Sequence, residues 1–340
     1  MSTWTLVRHH PWKFIISILV SLVFIYFAFR GLDWNAFWTA LTNVRITWIL
    51  LAALLLLFSN VFRAIRWAIL LDAQKTISRS ELFQATLIGY LGNNVLPLKM
   101  GEALRAFVVA RRHGIPLSGV GGSIVVERGL DVFSFFLVVG LYAVLAPEFI
   151  VARWIPAVGL AGLVGLVIFA GWMNRYHDFF FEKVESWSAR QEAAGHAGMA
   201  RQVRALFKSL ESVWRMPQPV KVLVNTLVLW GVYYSVTLCG MLAFQFEMTP
   251  LEYLNATMVF MAFTTFSMAV PAAPGYVGTY HGAAIAALLL FAVQEDTARA
   301  FAVVMHLLNY LVYTPTGAIA LTRMGIKLGV VEELDETPLT

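Results

Sequence analysis

Residues Ile46–Leu71 read ITWILLAALLLLFSNVFRAIRWAILL. The run does not alternate between apolar and polar positions, as the strand of a membrane β-barrel would over about 10 residues. It is long enough for a helix to cross a bilayer, which takes about 20 apolar residues. Five further blocks of similar character follow the same logic: Trp12–Phe29, Val120–Ala146, Trp154–Met173, Val222–Phe246 and Ala298–Leu321. Hydrophobic residues make up 59% of the 340-residue chain and charged residues only 13%, against roughly 25% charged in soluble domains. So little polar surface cannot cover a soluble protein of this size. The expected fold is an all-α polytopic membrane protein with about six full transmembrane spans.

Two apolar helix pairs lie between the spans, each broken in the middle. Leu82–Pro97 is followed by Gly101–Arg112, and Tyr253–Val270 by Gly278–Val293. Helices of this length reach roughly 18–27 Å. The first pair is short for two crossings and reads as a re-entrant hairpin; the second is either re-entrant or fully spanning. Both return the chain to its starting side.

Orientation follows from the basic residues. With the N-terminus in the cytoplasm, the inner segments hold Arg8, Lys13, Lys75, Arg79, Arg111, Arg112, eight cations from Arg175 to Lys221, Arg323 and Lys327. The outer segments hold Arg30, Arg45, Arg153 and Arg299. Cytoplasmic loops carry the Lys/Arg excess, so both termini are expected inside. Trp12–Phe29 lacks a small-residue cleavage site and reads as a retained anchor. In the loop Asn174–Lys221, Met199, Val203, Leu206, Phe207, Leu210, Val213 and Trp214 recur at helical spacing among Arg201, Arg204, Lys208 and Arg215. That pattern describes an amphipathic helix on the inner leaflet, serving as a surface anchor or to capture anionic lipid.

The two broken pairs echo one another. Pro97-Leu-Lys-Met-Gly101 and Pro274-Gly-Tyr-Val-Gly278 are both Pro-x-x-x-Gly, and Arg128 and Asp131 have His306 and Asn309 at the matching places of the later span. Each pair opens on a capping-box pattern, Ser78-Arg-Ser-Glu81 and Thr249-Pro-Leu-Glu252. Gln84-Ala-Thr86 is repeated as Asn255-Ala-Thr257. The topology inserts the first pair from the cytoplasm and the second from outside, so the expectation is an inverted repeat, an architecture of secondary transporters. One membrane domain, 1–340, would then comprise an anchor span and external loop (1–45), a first unit (46–173, hairpin 82–112), the cytoplasmic loop (174–221), a second unit (222–325, hairpin 253–293) and a tail (326–340).

Charges within the apolar segments mark the candidate site, because charge at membrane depth faces a cavity or a partner. Pro97 ends one helix and Gly101 lets the next begin; a helix N-terminus aimed into the membrane is an anion site. Lys99 and Arg105 would approach it, with Asn94 beside the break. Glu102 would hold Arg105 or Arg128 when no ligand is bound. Glu127, Arg128 and Asp131 lie about two turns into their span, Arg128 and Asp131 on one face. They either lock helices together or coordinate a phosphate group with an acid as a switch. The second break offers Pro274, Gly275, Tyr276, Gly278, Tyr280 and His281 as further binding residues. Glu102, Glu127, Asp131, His306 and Asn309 are the candidates for ion or proton coupling, the last two equally a polar helix contact. Arg63 and Arg66 are expected as interfacial side chains reaching for the headgroups.

The negatives narrow the chemistry. No Gly-x-x-x-x-Gly-Lys-Ser/Thr loop provides for ATP hydrolysis, and neither His-Glu-x-x-His nor Gly-x-Ser-x-Gly occurs. His9 and His10 have no acidic neighbours, and no metal or cofactor is expected. The net charge of +5 reflects the inner loops rather than nucleic acid. Cys239, the one cysteine, excludes an intrachain disulfide and reads as a small packing residue.

Asn94-Val-Leu-Pro97-Leu-Lys99-Met-Gly101-Glu102-Ala-Leu-Arg105, followed by Val-Val-Glu127-Arg128-Gly-Leu-Asp131 and later by Pro274-Gly275-Tyr-Val-Gly278, resembles the flippase-like integral membrane family. That family includes the transmembrane region of the lysylphosphatidylglycerol synthases, or multiple peptide resistance factors. The resemblance covers roughly residues 10–325. It implies a domain that moves lipids between leaflets: aminoacylated phosphatidylglycerol in the synthases, polyprenyl-phosphate-linked sugars, hopanoids or other glycolipids in relatives. Lys99 stands where the family more often has Arg, keeping the charge without the bidentate fork. The chain ends about 20 residues after its last span, so the synthases' aminoacyl-transferase domain is not expected here.

The expected function is ATP-independent movement of a lipid with an anionic head group across a prokaryotic inner membrane, and not an enzymatic one. An intramembrane transferase acting on a lipid-linked head group is the alternative, as is a non-catalytic partner of such an enzyme. A lipid-modifying enzyme and a second copy of the chain are the further partners considered.

Overall fold

The computed structural model describes residues 19, 22–72, 74–96, 100–145, 154–194, 198, 200, 201, 203, 204, 207, 218–267 and 274–326. Every regular element among them is helical. After a helical stretch over 22–29 come α1 (Trp34–Thr42), α2 (Ile46–Leu71), α3 (Arg79–Val95), α4 (Gly101–His113), α5 (Leu117–Leu145) and α6 (Trp154–Ala193). The second half holds α7 (Pro219–Phe244), α8 (Pro250–Ser267), a single 3-10 turn (Pro274–Tyr276), α9 (Thr279–Leu289) and α10 (Glu295–Arg323).

The capping signals place the helix starts where the sequence puts them. Ser78 Oγ accepts from the Glu81 backbone N–H at 3.2 Å to open α3. At α8, Thr249 Oγ1 accepts from Glu252 N at 3.3 Å while Glu252 Oε2 takes the Thr249 N–H at 2.7 Å, the reciprocal pair of a capping box. Gly114, with φ 65°, ends α4 behind a last turn of Arg111, Arg112 and His113, cations suited to a helix C-terminus.

Among the described residues, α2 and α7 are the helices both long and apolar enough to cross a membrane. Helix α5 carries Glu127, Arg128 and Asp131 within its length. Of Trp12–Phe29, only residues 19 and 22–29 fall among the described ones. Helix α6 runs on past 173 into the segment expected as a loop and ends at Ala193. Arg175, His177 and Asp178 end its apolar character, but no Pro or Gly, the strongest helix breakers, follows until Gly195. The amphipathic segment lies mostly outside the described residues. Residues 198, 200, 201, 203, 204 and 207 of it are helical, and Arg204 reaches back to Glu185 and Glu192 of α6 at 3.1 and 3.0 Å.

Polarity is distributed inside out. Leu50, Leu54 and Phe58 of α2, Val220 and Leu223 of α7, and Leu311 of α10 are exposed, while Arg66 and Glu127 have no exposed surface. An outer face of this kind suits lipid rather than water. Helices α2 and α7 pack against each other, α3 on α10, and α8 on α5. Each hairpin therefore rests on the helix that follows the other hairpin. Apolar side chains of α2, α3, α4 and α5, centred on Trp67, Leu71 and Leu82, form one core. A larger core around Phe301, Leu288 and Met241 joins the remainder, and Cys239 is buried within it.

Candidate functional site

Four guanidiniums and three carboxylates converge from α2, α4 and α5. Glu127 is the hub. Its carboxylate accepts from Arg63 (Nη2 2.5 Å, Nε 3.1 Å), Arg105 (3.1 Å) and Arg128 (2.8 Å), with Arg66 at 3.5 Å. Asp131 accepts from Arg66 at 2.7 Å and pairs with Arg128 at 3.1 Å. Arg63 also bonds the Tyr90 hydroxyl, and the Arg105 guanidinium lies 4.7 Å over the ring of Trp67. Arg63 and Arg66 are thus not interfacial side chains, a correction to the sequence reading. They are buried, Arg66 completely, and helix α2 delivers them to acids more than sixty residues away.

The cluster has a closed part and an open part. Arg63, Arg66 and Arg105 are already committed to two carboxylates. Arg128 and Glu102 are the accessible members, their side chains 38% and 36% exposed, joined only by a 3.5 Å contact between Arg128 Nε and Glu102 Oε1. Arg128 and Asp131 share a face as their spacing requires.

The closed part abuts a cavity of about 320 Å³. Glu102, Arg105, Arg128 and Asp131 line it together with Arg63. Facing them are Tyr276, His306, Asn309 and Tyr310 from the second break and α10, and Trp230 and Tyr233 from α7. Asn93, Asn94 and Glu102, which flank the first break, and Gly275 and Tyr276 of the second therefore line one space.

Pro97 and Lys99 lie outside the described residues. At the start of α4, the Gly101 N–H donates to Asn93 Oδ1 at 3.0 Å, so one of the N–H groups of that helix end is already taken. Gly101 is needed for close approach: a Cβ there would overlap the Gly89 carbonyl and Asn93 of α3. Asn94 lines the cavity and ties α3 to α10 through Thr314 Oγ1 at 3.2 Å.

At the second break, Gly275 and Gly278 take φ values of 69° and 90°, and Tyr276 between them takes 62°. Pro274 opens the turn, and Tyr280 is buried behind the break while still lining the cavity. His281, placed by the sequence among binding residues, is buried and does not line the cavity. It contacts His306, with His306 Nδ1 3.3 Å from His281 Nε2. His306 Nε2 lies 2.7 Å from the Gly275 carbonyl. Asn309 bonds back to Met305 O at 3.0 Å in its own helix.

Several lining residues escaped the sequence reading. Trp230 is the plainest, for its indole N–H is buried without a partner. Tyr90 stacks on Tyr313 with centroids 4.0 Å apart and planes 4° from parallel. Aromatic residues inside an apolar span carry no one-dimensional signal that separates a cavity wall from a lipid-facing belt. Asn93, next to Asn94, was legible as a polar pair in an apolar helix.

No solved structure matches the chain. Among curated proteins, a UPF0104 membrane protein of Methanothermobacter thermautotrophicus is 24% identical over 307 residues, covering 84% of this chain and 88% of that one. A UPF0104 membrane protein of Methanocaldococcus jannaschii is 28% identical over 164 residues, covering 45% of this chain and 48% of that one. The model of the lysylphosphatidylglycerol synthase transmembrane region matches residues 14–317. With that match over most of its length, the chain is a membrane protein of the lysylphosphatidylglycerol synthase transmembrane-region family.

Proposed function

We propose that this protein carries lipids with an anionic, phosphate-bearing head group between the leaflets of a prokaryotic inner membrane, without ATP. The observation that carries the reading is the charge balance at the cavity. Four guanidiniums face three carboxylates, so the cluster has one cation in excess, and Arg128 is its most exposed cation, with only a 3.5 Å contact to Glu102 on its open side. A phosphate oxygen replacing Glu102 on Arg128 would keep every buried pair intact. The unpartnered Trp230 N–H and the Asn93 and Asn94 amides would bind the neutral part of the head group, and the apolar outer faces would hold its tail in lipid.

The packing pattern supports two related units. Exchange α1 with α6, α2 with α7, α3 with α8, α4 with α9 and α5 with α10, and each substantial helix packing finds a counterpart. Thus α3 on α10 becomes α8 on α5, α10 on α1 becomes α5 on α6, and α2 on α7 maps onto itself. With both termini inside, the second unit is the inverted counterpart of the first. At 11 residues, α9 reaches only about 16 Å, which favours a re-entrant second hairpin over a spanning one.

The test is a leaflet-resolved assay in proteoliposomes containing a trace of tail-labelled fluorescent phosphatidylglycerol. The expected result is protein-dependent exchange between leaflets that Arg128→Ala abolishes. Equal exchange in both proteins would overturn the assignment of Arg128. A chemically altered lipid would replace transport by the transferase alternative.

A further inference from the structure

The hydrogen bonds at the second break fix the protonation of two imidazoles. A backbone carbonyl only accepts, so His306 Nε2, 2.7 Å from Gly275 O, carries a proton. A backbone N–H only donates, so His281 Nδ1, 3.3 Å from Gly278 N, carries none. The remaining contact, His281 Nε2 to His306 Nδ1 at 3.3 Å, then has one donor and one acceptor. Both rings are neutral, and the chain runs from Gly278 N–H through His281 and His306 to the Gly275 carbonyl. It holds two protons. A third would sit on His306 Nδ1 against the His281 N–H, or on His281 Nδ1 against the Gly278 N–H, and either position breaks a link.

We propose that His281 and His306 form a proton-binding site that latches the second break: neutral, they hold it closed against α10, and an added proton favours its opening into the cavity. The site has access, because His306 lines the cavity while His281 lies behind it. The latched segment is also primed to move. Tyr276 sits at φ 62°, a left-handed conformation that a non-glycine residue keeps only where its surroundings impose it.

The groups facing the pair are uncharged. From α9, Tyr280 stacks on His306 at 5.0 Å, and from α10, Tyr310 meets it edge-on at 5.2 Å. Phe29 of the 22–29 stretch lies 5.7 Å from His281, and Tyr276 lies in the break itself. Asn309 of α10 and Thr264 of α8 are the other polar neighbours along the cavity. The carboxylates Glu102 and Asp131 and the guanidiniums Arg63, Arg105 and Arg128 line the same cavity, but among the described residues none is paired with either imidazole. Among the described residues no carboxylate is therefore in place to stabilise a charged imidazole in the closed state, whereas opening to water would restore an ordinary histidine.

The linkage has a definite sign. A proton accepted mainly by the open state shifts the balance toward opening as pH falls, beginning near the ordinary histidine value of about 6.5. In the transport reading this makes the proton the coupling ion, and that consequence rests on the reading. The test does not. Hydrogen exchange of residues 274–282, corrected for its intrinsic pH dependence, is followed on the detergent-purified full chain from about pH 8 to about pH 5.5. The wild type is expected to lose protection there about tenfold, as one proton bound on opening dictates, with 79–113 unchanged. The double variant His281→Asn, His306→Gln keeps an acceptor for Gly278 and an N–H for Gly275 but has no imidazole to protonate, and should remain protected at both pH values. Each single variant keeps one imidazole and should retain a pH response. Wild-type protection that ignores pH, or the same loss in the double variant, would overturn the proposal. Failure of the head-group reading would leave this pH response in place, and failure here would leave Arg128-dependent lipid exchange in place.

Discussion

At the scale of the residue, the site depends on unequal commitment among like charges. Arg66 is completely buried and bonds Asp131 at 2.7 Å; Arg128 is more than a third exposed and shared among three acids. Removing one partner of a buried pair leaves an uncompensated charge and costs about 3–5 kcal/mol, whereas exposed pairs contribute about 0–1 kcal/mol. Arg66→Ala should therefore lower the thermal unfolding temperature in detergent severely, and Arg128→Ala less, because Glu127 keeps Arg63 and Arg105 when Arg128 is lost. Equal losses would mean that Arg128 is as structural as its neighbours. The acids and bases of α4 and α5 were legible in the sequence because charge in an apolar helix demands an explanation. The role of Arg63 and Arg66 was not, because their place near the end of an apolar run equally suits a headgroup contact. Only the fold brings Glu127 within 3.1 Å of the Arg63 Nε.

At the scale of the element, the Pro-x-x-x-Gly breaks told where the hairpins turn but not what their glycines do. Gly101 lets α3 and α4 touch backbone to backbone, with its N–H taken by Asn93. Gly278, at φ 90°, supplies a conformation that L residues rarely adopt, together with the N–H that fixes His281. A Cβ at Gly101 would overlap α3, and overpacking of this kind costs about 1–3 kcal/mol. Gly101→Ala should thus separate the hairpin and lower its melting temperature. Gly121→Ala is the matched control: nothing lies within 4 Å of its would-be Cβ, and helix propensity favours Ala by about 1 kcal/mol. A Gly101→Ala protein as stable as the control would refute the close-approach role. The full length of α6 was hidden for a related reason: loss of apolar character ends a membrane span, yet a helix stops only at a breaker or cap.

At the scale of the whole molecule, an apolar exterior, a buried ionic cluster and two broken hairpins meeting at one cavity describe a path for a polar head group alongside lipid. The helical membrane class was legible from composition, and the two helix starts at Ser78 and Thr249 from their capping boxes. The cavity's aromatic wall was not, since Tyr90, Trp230, Tyr233 and Tyr313 come together only through packing between the two halves. The central claim is that this cavity holds an anionic head group on Arg128. The most direct measurement is native mass spectrometry of lipids that stay with the detergent-purified protein, wild type against Arg128→Ala. Phosphate-bearing anionic lipids are expected to be enriched over bulk lipid on the wild type, and Arg128→Ala to lose the enrichment while remaining folded. Bulk lipid alone on both proteins, or the same anionic lipid retained by both, would contradict it.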